Sequence, residues 1–306
     1  MNQLPEQDLP PGRHQLLKEH LMTEIRREDP TPARSGSKWL RPAIVAGAVA
    51  TAAAVTFVLL PAGGTAAPGA APAASQSAVE LLGDIALAAE HQRVPDGIRD
   101  GQFLYVESKV GYSTQGGGKS ATVDPVHQRE IWLSVDGTRW GLLEEDRLVN
   151  QHVKLEPSTP GNPTNTNYRN LQTLPTDPDT MLDWLYENSE GHKNEDQSAF
   201  AIVGDLVRES LLPPDVAAAL FRAAAKIPGV VVVPDAVDAA GRHGVAVARV
   251  DNGQRQGLIF DEKTFEYLGE RTVAVEDLDN GLKKGQTIGT SAILKREIVD
   301  KPGQRP

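Results

Sequence analysis

The chain has no cysteine among its 306 residues. That excludes disulfides, thiolate metal sites and cysteine nucleophiles, and with them the Cys/His zinc centre of many anti-sigma domains. Aromatic residues make up only 5% of the sequence, so each large ring carries a heavy share of any core. Basic charge is also short: 31 Lys and Arg stand against 41 Asp and Glu, for a formal charge of −10. The shortage is uneven, because the segment before Pro42 has seven Lys/Arg and six Asp/Glu and the remainder carries −11. An acidic remainder argues against nucleic acid and against electrostatic adhesion to anionic surfaces.

Charge is missing altogether from Pro42 to Leu60, nineteen residues reading PAIVAGAVATAAAVTFVLL. As a helix rising about 1.5 Å per residue the run spans about 28 Å, close to a bilayer's hydrocarbon core of about 30 Å. Arg34, Lys38 and Arg41 precede it with Trp39 among them, and no charge follows until Glu80. Positive flanks stay cytoplasmic, so the expected topology is single-pass in the cell membrane, with the N-terminus inside and the body outside. A cleaved signal peptide and a buried Ala-rich helix are the rival readings. The signal peptide's apolar core is usually shorter and its leader does not run to about forty residues. Ala43, Gly47 and Thr51 fall four apart, the small-residue spacing through which two such helices could form a weak homodimer.

These features divide the chain into a cytoplasmic segment (1–41), a transmembrane helix (42–60), a flexible Pro/Ala/Gly linker (61–76) and an extracytoplasmic domain (77–306). In the first segment RHQLLKEHLMTEIRRE reads as an amphipathic helix, with Leu17, Leu21 and Ile25 four apart and Met22 beside them. That stripe either rests on lipid or docks a cytosolic protein. In the body, Ser77 and Glu80 form a capping box opening a helix whose buried face is Val79, Leu82, Ala86 and Ala89. Alternating segments then predict strands over 101–112, 129–135 and 138–143, the last two joined by a tight turn at Asp136-Gly137, with LVNQHVKLE extending the meander. A helical region follows, with Asp177 as N-cap, Pro178 in the first helical position, and helices over 198–212 and 214–227. Strands return from Val230, with turns at Asp251-Asn252-Gly253 and around Asp261–Thr264. The expected fold is α+β: one curved antiparallel sheet packed by about four helices.

Chemistry-bearing motifs are scarce. Gly118-Lys119-Ser120 mimics the end of a phosphate loop, but Ser113 stands where the motif needs glycine, and a strand region follows. The run from Asp277 to Gly281 places its glycine one position early for a calcium loop. The seven histidines are scattered without HExxH spacing, and no G-x-S-x-G elbow occurs. No catalytic residue, metal ligand or cofactor is therefore expected. Tyr105, Trp132, Trp140 and Tyr267 fall on predicted strands, where they fill the core or line a cleft for an apolar ligand.

Several blocks together resemble an uncharacterised actinobacterial family of single-pass membrane proteins. They include LPPGRHQLLKEHLMTEI, the basic WLRP, REIWLSVDGTR, LPTDPDTMLDWLYE, ALFRAAAKIPGVVVV, DAAGRHGVAVARVD and LIFDEKTFEYLGERTVAV. Members are often encoded beside extracytoplasmic-function sigma factors, so the resemblance implies a membrane-anchored regulator and supplies no catalytic residues. A looser similarity links the body to the half-barrels of lipoprotein carriers and periplasmic sigma regulators. The expected function is thus a regulator or sensor, anti-sigma-like without a zinc site, with Leu17, Leu21, Met22 and Ile25 contacting a cytosolic factor such as a sigma factor. The alternatives are a lipid- or hydrophobe-binding outer domain and an enzyme of unrecognised type.

Overall fold

The computed structural model describes residues 72–114, 121–146 and 152–306. The expected amphipathic helix at Leu17, Leu21, Met22 and Ile25, the 42–60 run with Ala43, Gly47 and Thr51, and the loop at 115–120 lie outside them. Among the described residues no helix is long and apolar enough to cross a membrane.

Helix α1 (Gln76–Glu90) begins one residue earlier than expected. Its N-cap is Ser75, whose hydroxyl accepts from the Ala78 amide at 3.2 Å, and Gln76 rather than Ser77 donates to Glu80, at 2.9 Å. The buried stripe is Ala78, Leu82, Ile85, Ala86 and Ala89, whereas Val79 is 40% exposed. The residues just before it also belong to the fold: Gly229 donates its amide to the Pro72 carbonyl at 2.6 Å, and Ser75 donates to Val230 at 2.9 Å.

The strands are β1 (Phe103–Thr114), β2 (Thr122–Val123), β3 (His127–Ser134), β4 (Gly141–Glu145) and β5 (His152–Leu155), then β6 (Val231–Val237), β7 (His243–Asp251), β8 (Gln254–Phe260), β9 (Tyr267–Ala274) and β10 (Thr287–Val299). Between the two sets lie α2 (Tyr168–Leu171), α3 (Pro178–Glu187), α4 (Glu195–Arg208) and α5 (Pro214–Ala224). The strands form one ten-stranded sheet in the order β5-β4-β3-β1-β10-β9-β8-β7-β6, with β2 paired to β1. The pairings from β5 through β8 and β7 to β6 are antiparallel, as the hairpin turns predict. At the β7–β8 turn Asn252 and Gly253 take φ of 46° and 71°, the left-handed pair of a type I′ hairpin.

The Asp136-Gly137 turn is different. β3 ends at Ser134 and β4 begins at Gly141, which leaves a six-residue loop, 135–140, instead of a two-residue turn. Asp136 Oδ1 accepts from the Ser134 hydroxyl (2.7 Å) and from the amide and hydroxyl of Thr138 (3.0 and 2.9 Å). That side chain satisfies backbone that would otherwise continue the ladder. The loop also docks outward, with the Ser158 amide donating to the Gly137 carbonyl at 2.8 Å.

Helices cover one face of the sheet over β6–β9. α5 buries eight of its eleven residues and packs among α1, α3 and α4, reaching the sheet through Phe221, whose ring meets Phe260 edge-on at 5.5 Å. Burial all round marks it as the central helix. α4 starts on Asn194, with Glu195 and Asp196 in its first turn and Arg208 in its last, charges that suit the helix dipole. Over the other half of this face, Leu104, Val106, Ile131, Leu143, Leu155 and Ile293 form a second apolar cluster, against which Leu211 packs from the α4–α5 connection.

A bulge in β10 decides what faces the helices. Ser108 pairs with Ile293 and Glu107 with Lys295, so Leu294 is unpaired and the parity of β10 flips. Arg296 consequently lies on the same face as Ile293. It donates to the carbonyls of Val207 and Arg208 at 2.8 and 3.0 Å, closing the C-terminal end of α4.

Two glycines respond oppositely to a methyl group. A Cβ on Gly269 would stand 2.1 Å from the Ser291 carbonyl oxygen, which the paired strand cannot yield, whereas one on Gly83 in α1 meets nothing within 4 Å. Gly269→Ala is expected to cost about 3 kcal/mol and Gly83→Ala to gain about 0.8 kcal/mol, read as opposite shifts of the urea midpoint.

Candidate functional site under the α4–α5 connection

Alternation along β3 sends His127, Arg129 and Ile131 to the helix-covered face. Arg129 therefore points in phase with apolar neighbours and meets charge from two directions. Its Nε donates to Glu209 Oε1 at 2.7 Å from the α4–α5 connection, and its Nη1 donates to Glu145 Oε2 at 2.8 Å from β4. The ring of His127 holds the other Glu145 oxygen at 2.6 Å. Burial opposes the charge on Arg129, but Glu209 and then Glu145 outweigh it and hold the guanidinium well above its ordinary range. The three side chains keep only 20%, 12% and 14% of their exposure for Arg129, Glu209 and Glu145, so water screens them little.

A second group adjoins the first. Arg208 reaches Asp205 at 2.6 Å and Glu270 at 3.4 Å, and the Arg296 guanidinium lies 5.8 Å from the centre of the Tyr267 ring. Tyr112 sits in the field of Arg208, Glu270, Arg129 and Glu209, and burial pushes its hydroxyl up to about 12. Burial raises Tyr267 too, reinforced by Glu270. Among the described residues the Tyr267 hydroxyl and the Nε atoms of Arg208 and Arg296 are buried without a hydrogen-bond partner. All three can donate, and buried polar atoms are rarely left so. The cluster thus combines closed ion pairs with unmet donor capacity suited to an acceptor group.

The four aromatics singled out from sequence do not share one cleft. Tyr267 is on this face, edge-on to Phe260 at 5.7 Å. Tyr105 and Trp132 lie 5.1 Å apart on the opposite face, and Trp140 stands 54% exposed in the β3–β4 loop rather than on a strand. Two of the concavities among the described residues bear on the question of a site. One is a void of about 40 Å³ between the β3–β4 loop and residues Leu155–Asn167, with room for a water or two. The other is an open, acid-lined hollow at Asp183, Glu187, Glu190 and Glu195. No group of three or more metal-ligating side chains gathers among the described residues.

No family model matches the chain, and no curated protein matches it. A solved structure of a LolA superfamily protein from Nitrosomonas europaea is similar at 9% identity, covering 73% of this chain and 94% of that one, with a TM-score of 0.20.

Arg129, Glu209, Arg208 and Glu270 were not among the residues singled out from sequence, and the acid pair Glu144-Glu145, which from sequence looks like solvated loop charge, lies on β4 with its side chains only 19% and 14% exposed. One signal was present: in REIWLSV the arginine falls in phase with Ile131 and Leu133. Its partners arrive from β4 and from the end of α4, which spacing cannot reveal.

Replacing Arg129 by Met leaves two carboxylates facing each other in a poorly solvated place. Arg129→Met is expected to cost about 3–5 kcal/mol, and adding Glu209→Gln should recover at least about 1 kcal/mol of it in urea unfolding. Strictly additive costs would show that the pair is not coupled. Tyr112 gives a pH test. Its folded pKa lies above the unfolded value of about 10, so its contribution is complete below pH 10 and is lost as pH rises toward 12. Unfolding free energy should fall over that window, and Tyr112→Phe should flatten the fall.

Proposed function

We propose that this chain is a membrane-anchored regulator or sensor whose body binds a ligand or partner at the ionic cluster beneath the α4–α5 connection. The observation that carries the reading is the coexistence of two features. The charge-free run 42–60 with basic residues before it is suited to an anchor. The body holds three unmet buried donors, Tyr267 Oη, Arg208 Nε and Arg296 Nε, beside ion pairs. An all-apolar core would fold without that desolvation cost, so charge kept there suits a binding role. Glu209 and Glu145 both accept from the Arg129 guanidinium, which favours binding over proton transfer. The N-terminal helix at Leu17, Leu21, Met22 and Ile25 would carry the signal to a cytosolic factor.

A hydrophobe-binding body is the second reading, favoured by the apolar cluster of Leu104, Val106, Ile131 and Ile293 on the same face. Leu211 packs on that cluster, so an apolar ligand would have to displace the α4–α5 connection.

The test is made on the full chain in cells. It should remain in the membrane fraction after alkaline carbonate washing and leave it in mild detergent. A variant with Ala53→Asp and Val55→Asp should appear in the carbonate supernatant. Wild-type chain found soluble after gentle lysis would overturn the anchored reading.

A further inference from the structure

On the sheet face away from the helices, two rows of side chains run side by side across neighbouring strands. Tyr105, Trp132 and Leu142 are direct partners on β1, β3 and β4, and two residues along stand Glu107, Glu130 and Glu144, again directly opposite one another. Like charges in that relation repel, and both Glu130 and Glu144 are held largely out of water, at 12% and 19% exposure. Such a row calls for a cation.

Arg305 supplies it. Its Nε and Nη2 donate to the two oxygens of Glu130 at 2.7 and 2.5 Å, Nη2 also donates to Glu144 at 2.6 Å, and the guanidinium lies 5.7 Å from the centre of the Trp132 ring. Beside it, Trp132 Nε1 donates to the Gln304 carbonyl at 2.7 Å, and Tyr105 donates to Glu130 at 2.6 Å. A planar cation gripped through both oxygens of one carboxylate and laid near an indole fits guanidinium chemistry, which an ammonium cannot reproduce. Arg305's hydrogen bonds, against burial, hold Glu130 below the usual carboxylate range.

With the segment in place, the two carboxylates are better buried than the cation that covers them. The Arg305 side chain is 55% exposed, and residues 300–306 are exposed except for the half-buried Gln304. The segment is tied down upstream by Asp300, which pairs with Arg99 at 2.8 Å and accepts from Gln102 at 2.9 Å.

We propose that Trp132, Tyr105, Glu130 and Glu144 form a binding site for an arginine side chain carried by a short, turned peptide segment of a partner protein, and that residues 300–306 occupy it as an exchangeable strap. The strap competes as a tethered ligand, at an effective concentration on the order of millimolar, so a partner engages only when its own segment binds well or the strap is withdrawn. This site lies on the opposite face from the ionic cluster and stands or falls independently of it.

The test uses the full chain in mild detergent and the labelled peptide acetyl-DKPGQRP, matching 300–306, read by fluorescence anisotropy. Arg305→Ala should bind this peptide about tenfold or more tightly than wild type does. The peptide with lysine in place of arginine should bind about tenfold more weakly. Glu130→Gln in the Arg305→Ala background should abolish binding. Arg305→Lys, which keeps a cation over the carboxylates, serves as a folded control and should fall between wild type and Arg305→Ala. Equal binding by wild type and both Arg305 variants, or equal binding of the arginine and lysine peptides, would overturn the proposal.

Discussion

The Arg129 guanidinium, wedged between Glu209 and Glu145, joins two halves of one sheet face that have different covers. Over β6–β9 the cover is a helical layer centred on α5; over β1, β3 and β4 it is a short connection carrying Glu209 and Leu211. The sheet is continuous beneath both, so the connection must be fixed to the second half or its apolar cluster would be open to water. Leu211 does this by packing and Glu209 by charge. Only the second is directional, and losing the guanidinium would leave two carboxylates poorly compensated in a place where water screens little.

The opposite face solves the same problem with backbone and charge. Asp238 is fully buried and grips Arg242, which in turn donates to the carbonyls of Leu268 and Ile293 at 2.9 and 2.8 Å, pinning the β6–β7 loop over Ala246 and Ile259. At the other end the 300–306 segment lies over Tyr105 and Trp132. A ten-stranded sheet with apolar residues on both faces needs both kinds of cover. The two differ in burial: the Asp238 carboxylate is fully enclosed beneath an Arg242 that is 38% exposed, whereas Glu130 keeps 12% and Arg305 55% of its exposure.

Local elements were readable from local chemistry. Asp177 caps α3 before Pro178, with its Oδ1 accepting from the amides of Asp179 and Thr180 at 3.1 and 2.9 Å. Asn252-Gly253 turns β7 into β8, and Pro213-Pro214 separates α4 from α5. In each case the outcome depends on atoms within four residues. Where two local chemistries competed, the reading erred. Ser75 and Ser77 could each cap α1, and the structure uses Ser75. Asp136-Gly137 suits a two-residue hairpin, yet the Asp136 side chain captured the backbone of Thr138 and opened a longer loop, carrying Trp140 off the strand and into solvent. The candidate site was legible only as Arg129 falling in phase with Ile131, because its carboxylates lie 16 and 80 residues away.

The sequence by itself determined the absence of thiol chemistry, the charge-free run at 42–60, the acidic balance, and an α+β fold whose strands alternate and turn at glycine. Those properties belong to composition or to neighbours along the chain. Tertiary structure alone decided which strands adjoin, and so which charges meet. β10 crosses to lie beside β1, its bulge at Leu294 swings Arg296 to the helix side, and glutamates of β3 and β4 meet at Arg305. Register is a property of pairs of strands, and no single strand encodes its partner.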